Sequence, residues 1–158
     1  MFVASFGAKL RYLRQQRGLT QVELAGALNL ASHSHISYLE ADTKHPSLPL
    51  AHQIACLFEV TIDYLLLNTV DVDDVRGWPS ADNGTAMQRF GAKLRMLRKH
   101  QHLTQSELAL QLGLKSHTHI SELEKNIKDP SRDLLLAISY FFNVPTDILI
   151  RDGVELPE

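Results

Sequence analysis

Two His-x-His pairs, His33/His35 in ASHSHISYLE and His117/His119 in KSHTHISELE, are the residues of this chain best suited to chemistry. Imidazole ligates metals, moves protons at physiological pH and, once protonated, attracts anions. A metal fits the spacing poorly. Residues two apart on a helix do not share a face, zinc motifs on helices use i, i+4 spacing, and no Cys, Asp or Glu lies nearby at ligand spacing. Neither a metal nor a cofactor is expected. Catalysis fits no better, because no nucleophile, carboxylate pair or glycine-rich phosphate loop accompanies the histidines, so the chain is not expected to be an enzyme. Two readings stay open: polar residues that cap and solvate a helix start, or a binding surface.

The elements that must position these residues come in two copies. Aligned without gaps, positions 6–65 and 90–149 share 32 of 60 residues, so the chain is an internal duplication. FGAKLRYLRQQRGLTQVELAGAL answers to FGAKLRMLRKHQHLTQSELALQL, and HPSLPLAHQIACLFEVTIDYL to DPSRDLLLAISYFFNVPTDIL. Phe6, Leu10 and Leu13 recur at helical spacing, and Gly18 closes that first helix. Thr20-Gln-Val-Glu23 and Thr104-Gln-Ser-Glu107 read as capping boxes, in which hydroxyl and carboxylate each satisfy a backbone amide of a second helix. Asn29 and Gly113 suit its left-handed end. A third helix is expected from about His33 to Glu40, with Ser32 as N-cap, Ile36 and Leu39 facing inward, and Asp42 or Asn126 as the left-handed residue after it. Pro46-Ser47 and Pro130-Ser131 open a fourth helix, and Thr61 and Thr146 are placed to cap a fifth. No period-2 pattern of strands occurs. The expected class is all-α.

Composition narrows the setting. The 158 residues are 44% hydrophobic and 22% charged, which is globular. A single cysteine, Cys56, excludes an internal disulfide framework. The start Met-Phe-Val-Ala-Ser-Phe lacks a signal peptide's basic and apolar regions, and no apolar run nears the roughly 20 residues that span a bilayer. A cytoplasmic protein without membrane contact is expected, and no small-molecule ligand is evident. Net charge is −2 and the acidity sits centrally, where residues 71–88 carry four Asp against one Arg. Residues 68–84, with Pro, Gly and Asn among the acids, read as a linker in which Trp78 packs on a neighbouring helix.

Two short helices joined by a turn, the second with a polar face, form the helix-turn-helix of DNA-binding proteins. LTQVELAGALNL…ISYLE…HPSL and LTQSELALQLGL…ISELE…DPSR resemble the Xre-type family of Cro and phage-repressor proteins over nearly all of both repeats. The resemblance implies two tandem five-helix repressor-like domains, residues 1–67 and 85–158, and sequence-specific binding of double-stranded DNA. By resemblance, Gln21 and Gln105 clamp a phosphate, while Arg14–Glu40 and Arg98–Glu124 are buried ion pairs between first and third helices. The base-reading face then comprises His33, Ser34, Ser37 and Tyr38, with His117, Thr118, Ser121 and Glu122 in the second repeat, and Ser32 and Ser116 join the DNA-binding residues beside it. Lys44, Lys125 and Lys128 lie in the loop that meets the DNA backbone.

Two departures from the family pattern stand out. Both repeats hold one residue more than the family spacing between the capping-box glutamine and the isoleucine, which the turn or the start of the third helix must absorb. The loop Ala41-Asp42-Thr43 lacks the basic residues usual there, and Glu122 puts a carboxylate on the reading face, where it repels phosphate but accepts from cytosine. The expectation is a transcriptional regulator, a repressor by family bias, whose linked units imitate a dimer. Apolar ends such as TIDYLLLNT and PTDILIRD suit packing between units or in a homodimer. The rival reading is a protein-interaction module, antiactivator or antitoxin-like, in which one or both repeats have lost DNA binding.

Overall fold

The computed structural model describes residues 4–68 and 87–156. The chain divides into two compact units, Met1–Ala81 and Asp82–Glu158. The expected linker, apart from Asn68, and Trp78 within it lie outside the described residues. Ten α-helices and no strand occur among the described residues. The first unit holds α1 (Phe6–Gln16), α2 (Gln21–Ala27), α3 (Ser34–Glu40), α4 (Leu48–Phe58) and α5 (Ile62–Leu66). The second holds α6 (Phe90–His100), α7 (Gln105–Gln111), α8 (His117–Glu124), α9 (Arg132–Phe142) and α10 (Thr146–Ile150).

Local chemistry sets most boundaries. Glu23 N donates to Thr20 Oγ1 at 3.2 Å while Thr20 N donates to Glu23 Oε2 at 2.8 Å, closing the capping box that starts α2. Thr104 and Glu107 repeat it at 3.2 and 2.7 Å. Ser47 and Ser131 cap α4 and α9 through their hydroxyls. Left-handed residues end the short helices: Gly18, Asn29 and Asp42 in the first unit, and His102, Gly113 and Asn126 in the second, all with φ between 52° and 68°.

Two expected helix starts move by one residue. α3 begins at Ser34, and its N-cap position falls on His33, whose side chain makes no capping bond. Ser32 still contributes, since Ser34 N donates to its hydroxyl at 3.2 Å. In the second unit Ser116 is the N-cap, with the matching bond from Thr118 N at 3.1 Å. At α10 the cap position belongs to Pro145, whose fixed φ suits an extended residue before a helix, and Thr146 is the first helical residue, fully buried. Thr61 does cap α5, accepting from Tyr64 N at 3.0 Å.

Each core gathers one apolar stripe per helix. Leu10, Leu24, Ile36, Leu39, Ile54 and Leu65 are fully buried in the first unit, and Leu94, Leu108, Ile120, Leu123, Ile138 and Leu149 in the second. Burying a side chain of this size stabilises by about 1.5–3 kcal/mol. α3 packs on α1 and α2, and α8 on α6 and α7. The apolar fifth helices are used inside their own units as well, α5 against α1 and α4, α10 against α6 and α9.

Two contacts that no local pattern announces hold this arrangement. Gly7 and Gly91 let α1 and α6 approach the ends of α3 and α8 so closely that a Cβ there would lie 2.5 Å from the Leu39 or Leu123 carbonyl oxygen. At the same crossing Gly7 N donates to Asp42 Oδ1 at 2.8 Å, and Gly91 N to Asn126 Oδ1 at 2.9 Å. The left-handed residue that ends the third helix thus satisfies an orphan amide of the first.

Candidate nucleic-acid interface

A chain of three side chains ties the third helix to the turn before it. Arg14 Nε donates to Glu40 Oε1 at 2.5 Å, Arg14 Nη2 to Glu40 Oε2 at 3.0 Å, and Arg14 Nη1 to the Leu19 carbonyl at 2.8 Å. Gln21 Nε2 then donates to Glu40 Oε2 at 3.0 Å. The second unit repeats every bond: Arg98 to Glu124 at 2.6 and 3.1 Å, Arg98 to Leu103 O at 2.7 Å, and Gln105 to Glu124 at 2.9 Å. Burial raises the pKa of the Glu40 carboxyl, but hydrogen bonds from Arg14 and Gln21 and the charges of Arg14 and Arg11 outweigh it, leaving it below the ordinary 4.5. Glu124 is lowered by the same balance, with Arg98, Gln105 and Arg95 in those roles. Both glutamates are therefore anionic at neutral pH, and both arginines are counter-ions and not free cations.

The relay aims each glutamine. Gln21 and Gln105 are the first residues of α2 and α7, where a helix leaves backbone amides without intrahelical partners. A primary amide carries two N–H groups, so the one engaged by glutamate leaves another for an outside acceptor. In front of Gln21 a shallow hollow is lined by Gln21, His33, Ser34, Ser37 and Tyr38. The sequence-derived phosphate clamp and four reading-face residues are thus brought to one surface. Ser32 does not line it, because its hydroxyl is turned to the Ser34 amide.

The second unit presents its counterparts differently. His117 and Thr118 are exposed, Ser121 and Glu122 half-buried. Glu122 is not a bare carboxylate, since Lys128 Nζ lies 2.8 Å from its Oε2. Lys44, the matching lysine of the first unit, sits with Nζ 4.8 Å from the centroid of the Tyr38 ring. Lys125 is exposed beside the end of α8. Nothing gathers His35 or His119 into a metal site: among the described residues no group of three His, Cys, Asp or Glu side chains could hold an ion. Among them also, no helix is long and apolar enough to cross a membrane.

Sequence reasoning missed two supports. Asp42 looked like a missing cation in the loop after α3, yet it caps α1, with Ser5 Oγ donating to its other oxygen. Lys9 and Lys93, counted only as charge, are buried. Lys9 Nζ donates to the Tyr64 and Leu67 carbonyls at 2.7 and 2.6 Å, and Lys93 Nζ to those of Ile148 and Arg151 at 2.6 and 2.5 Å. Burial and the neighbouring Arg89 charge hold Lys93 below the ordinary lysine value despite Asp152 and Glu155.

With this geometry in hand, comparison with known proteins is specific. The Helix-turn-helix family model matches twice, at residues 10–65 and 94–149. The HTH-type transcriptional regulator PrpR of Mycobacterium tuberculosis is 34% identical over 96 residues, 56% of this chain and 20% of that protein. The uncharacterized HTH-type transcriptional regulator YobD of Bacillus subtilis is 38% identical over 65 residues, 41% of this chain and 57% of that protein. The chain thus spans only a part of either relative's length. No solved structure matches.

Proposed function

The chain belongs to the helix-turn-helix family, in its Xre-like form and in two tandem copies, and from that premise we propose that it is a transcriptional regulator that binds double-stranded DNA. The observation that carries this reading is the relay repeated in both units, Arg14–Glu40–Gln21 and Arg98–Glu124–Gln105, with polar side chains of a short exposed helix beside the glutamine. A helix of about 10–12 Å diameter fits a major groove about 12 Å wide. The glutamine amide and the N-terminal amides of α2 and α7 then meet a phosphate, which fixes register, while His33, Ser34, Ser37 and Tyr38 face base edges.

Two covalently linked units serve as a pseudo-dimer on this reading. Linkage raises the effective concentration of the second unit to roughly millimolar, so weak half-sites are held together. Binding across a promoter in this way represses transcription. The test is selection of DNA from a random duplex pool with the whole chain, then with Gln21→Ala and Gln105→Ala. An enriched motif lost or weakened by either change is expected. A wild-type chain that enriches nothing rules the regulator out.

A second reading, in which the first unit serves protein pairing, is favoured by one contrast. Positions beside the third helix are Ala31 and Ala41 in the first unit but Lys115 and Lys125 in the second, all exposed. Enrichment sensitive only to Gln105→Ala is the result that selects it.

A further inference from the structure

The two helices differ at Tyr38, which is Glu122 in the second unit, and in what a loop lysine does there. Lys44 and Lys128 stand at the same place in their repeats, four residues past the ends of α3 and α8. Lys44 lies over the ring of Tyr38, 4.8 Å from its centroid, whereas Lys128 forms a 2.8 Å ion pair with Glu122. Tyr38 lines the hollow with Gln21 and Ser37, and Glu122 holds the equivalent position of α8.

We infer that this residue pair gives each unit a different base preference, so that the chain's site consists of two unlike half-sites, with a cytosine required under the second unit. The inference rests on DNA binding by both units. A carboxylate only accepts hydrogen bonds. In the major groove guanine offers N7 and O6 and thymine offers O4, all acceptors, and adenine sets an N7 acceptor beside its amino group. Cytosine alone offers N4–H2 without a competing acceptor of its own at that edge. Tyr38 places an uncharged ring at the same point, suited to a thymine methyl and without the carboxylate's strict demand for a donor.

Lys128 is what lets the carboxylate stand there. Unpaired, Glu122 would add repulsion from the phosphates along the groove; the lysine cancels its charge. The Lys128 side chain is 57% exposed and that of Glu122 28%. The second unit's pair therefore contributes discrimination with no net charge. The Tyr38–Lys44 pair contributes charge and little discrimination.

Random-pool selection followed by salt titration on the selected duplex separates these roles, using the full chain and the variants Glu122→Gln, Lys128→Gln and the double variant. The wild type is expected to select two unlike half-sites, one with a fixed cytosine. Glu122→Gln lowers that preference roughly tenfold and moves it toward adenine, which glutamine contacts through two bonds. It also steepens the salt dependence by about 0.9 in log–log slope, one extra net cation. Adding Lys128→Gln returns the slope to its wild-type value without restoring cytosine. Two identical half-sites, or a cytosine preference that survives Glu122→Gln, overturn the inference and leave DNA binding standing. No enrichment by the wild type overturns it together with the proposed function.

Discussion

Glu40 and Glu124 each bond to a fold-stabilising arginine and to the glutamine at the interface, so one carboxylate serves both stability and aim. Glu124→Gln leaves Arg98, which is only 9% exposed, beside a neutral partner. Losing a charged hydrogen-bonded pair at such a site is expected to cost about 2–4 kcal/mol in urea denaturation at pH 7. The pH dependence has a definite sign. Both carboxyls are held below 4.5 in the folded chain, so their stabilisation is present above that pH and is lost as pH falls through the folded values. The wild type should therefore lose stability below about pH 4.5, and Glu124→Gln should show a shallower decline over the same range. Identical pH profiles would remove the pair from the account. At this scale the sequence was readable where bonds are local, as with Thr20 and Glu23. It was silent where partners lie far apart: Lys9 meets Tyr64 across 55 positions, and nothing in its immediate context distinguishes it from a surface lysine.

Helix ends decide how precisely each exposed helix is set. Asp42 and Asn126 end α3 and α8 in a left-handed turn and reach back to the first turns of α1 and α6. Asp42→Ala should cost about 1 kcal/mol in thermal or urea unfolding, the usual loss for a helix-capping side chain. Asp42→Asn keeps the acceptor for the Gly7 amide but not the one for the Ser5 hydroxyl, so it should cost less than Asp42→Ala; an equal loss for both would show that the Gly7 bond is not what matters. Gly91→Ala would push a methyl to 2.5 Å from the Leu123 carbonyl, so the helices must part and stability should fall by about 1–3 kcal/mol. A melting temperature unchanged from the wild type would contradict that. The turn glycine and asparagine were recognisable by residue type, whereas Gly7 and Gly91 were not, since they sit within helices and answer to a neighbour 32 positions on. The one-residue slips at Ser34 and Thr146 share a cause: a serine or threonine near a helix start is a good cap, but the register is settled by packing behind it.

For the molecule as a whole, the second unit carries the more basic surroundings, with Lys115, Lys125 and Lys128 near α8 against Lys44 alone near α3. If both units engage one duplex as a pseudo-dimer, spacing between half-sites becomes a structural variable. Inserting five base pairs, about half a turn, into a selected site should weaken binding at least about tenfold, and ten should restore much of it. A flat response would mean that the units bind independently. The duplication was plain in the sequence because half the aligned positions are identical; the contrast between the copies' exposed faces was not, because it depends on pairs formed across a loop. The matched positions follow a pattern of their own. Gly7, Lys9, Arg14, Gln21 and Glu40 recur unchanged in the second unit, as do Ser32, His33 and Ser37, while Ala31, Tyr38 and Ala41 correspond to Lys115, Glu122 and Lys125. The residues that hold the third helix in place are thus kept between the copies, while a few positions of its outer surface differ. After duplication, a few surface changes are enough for one frame to present two different faces.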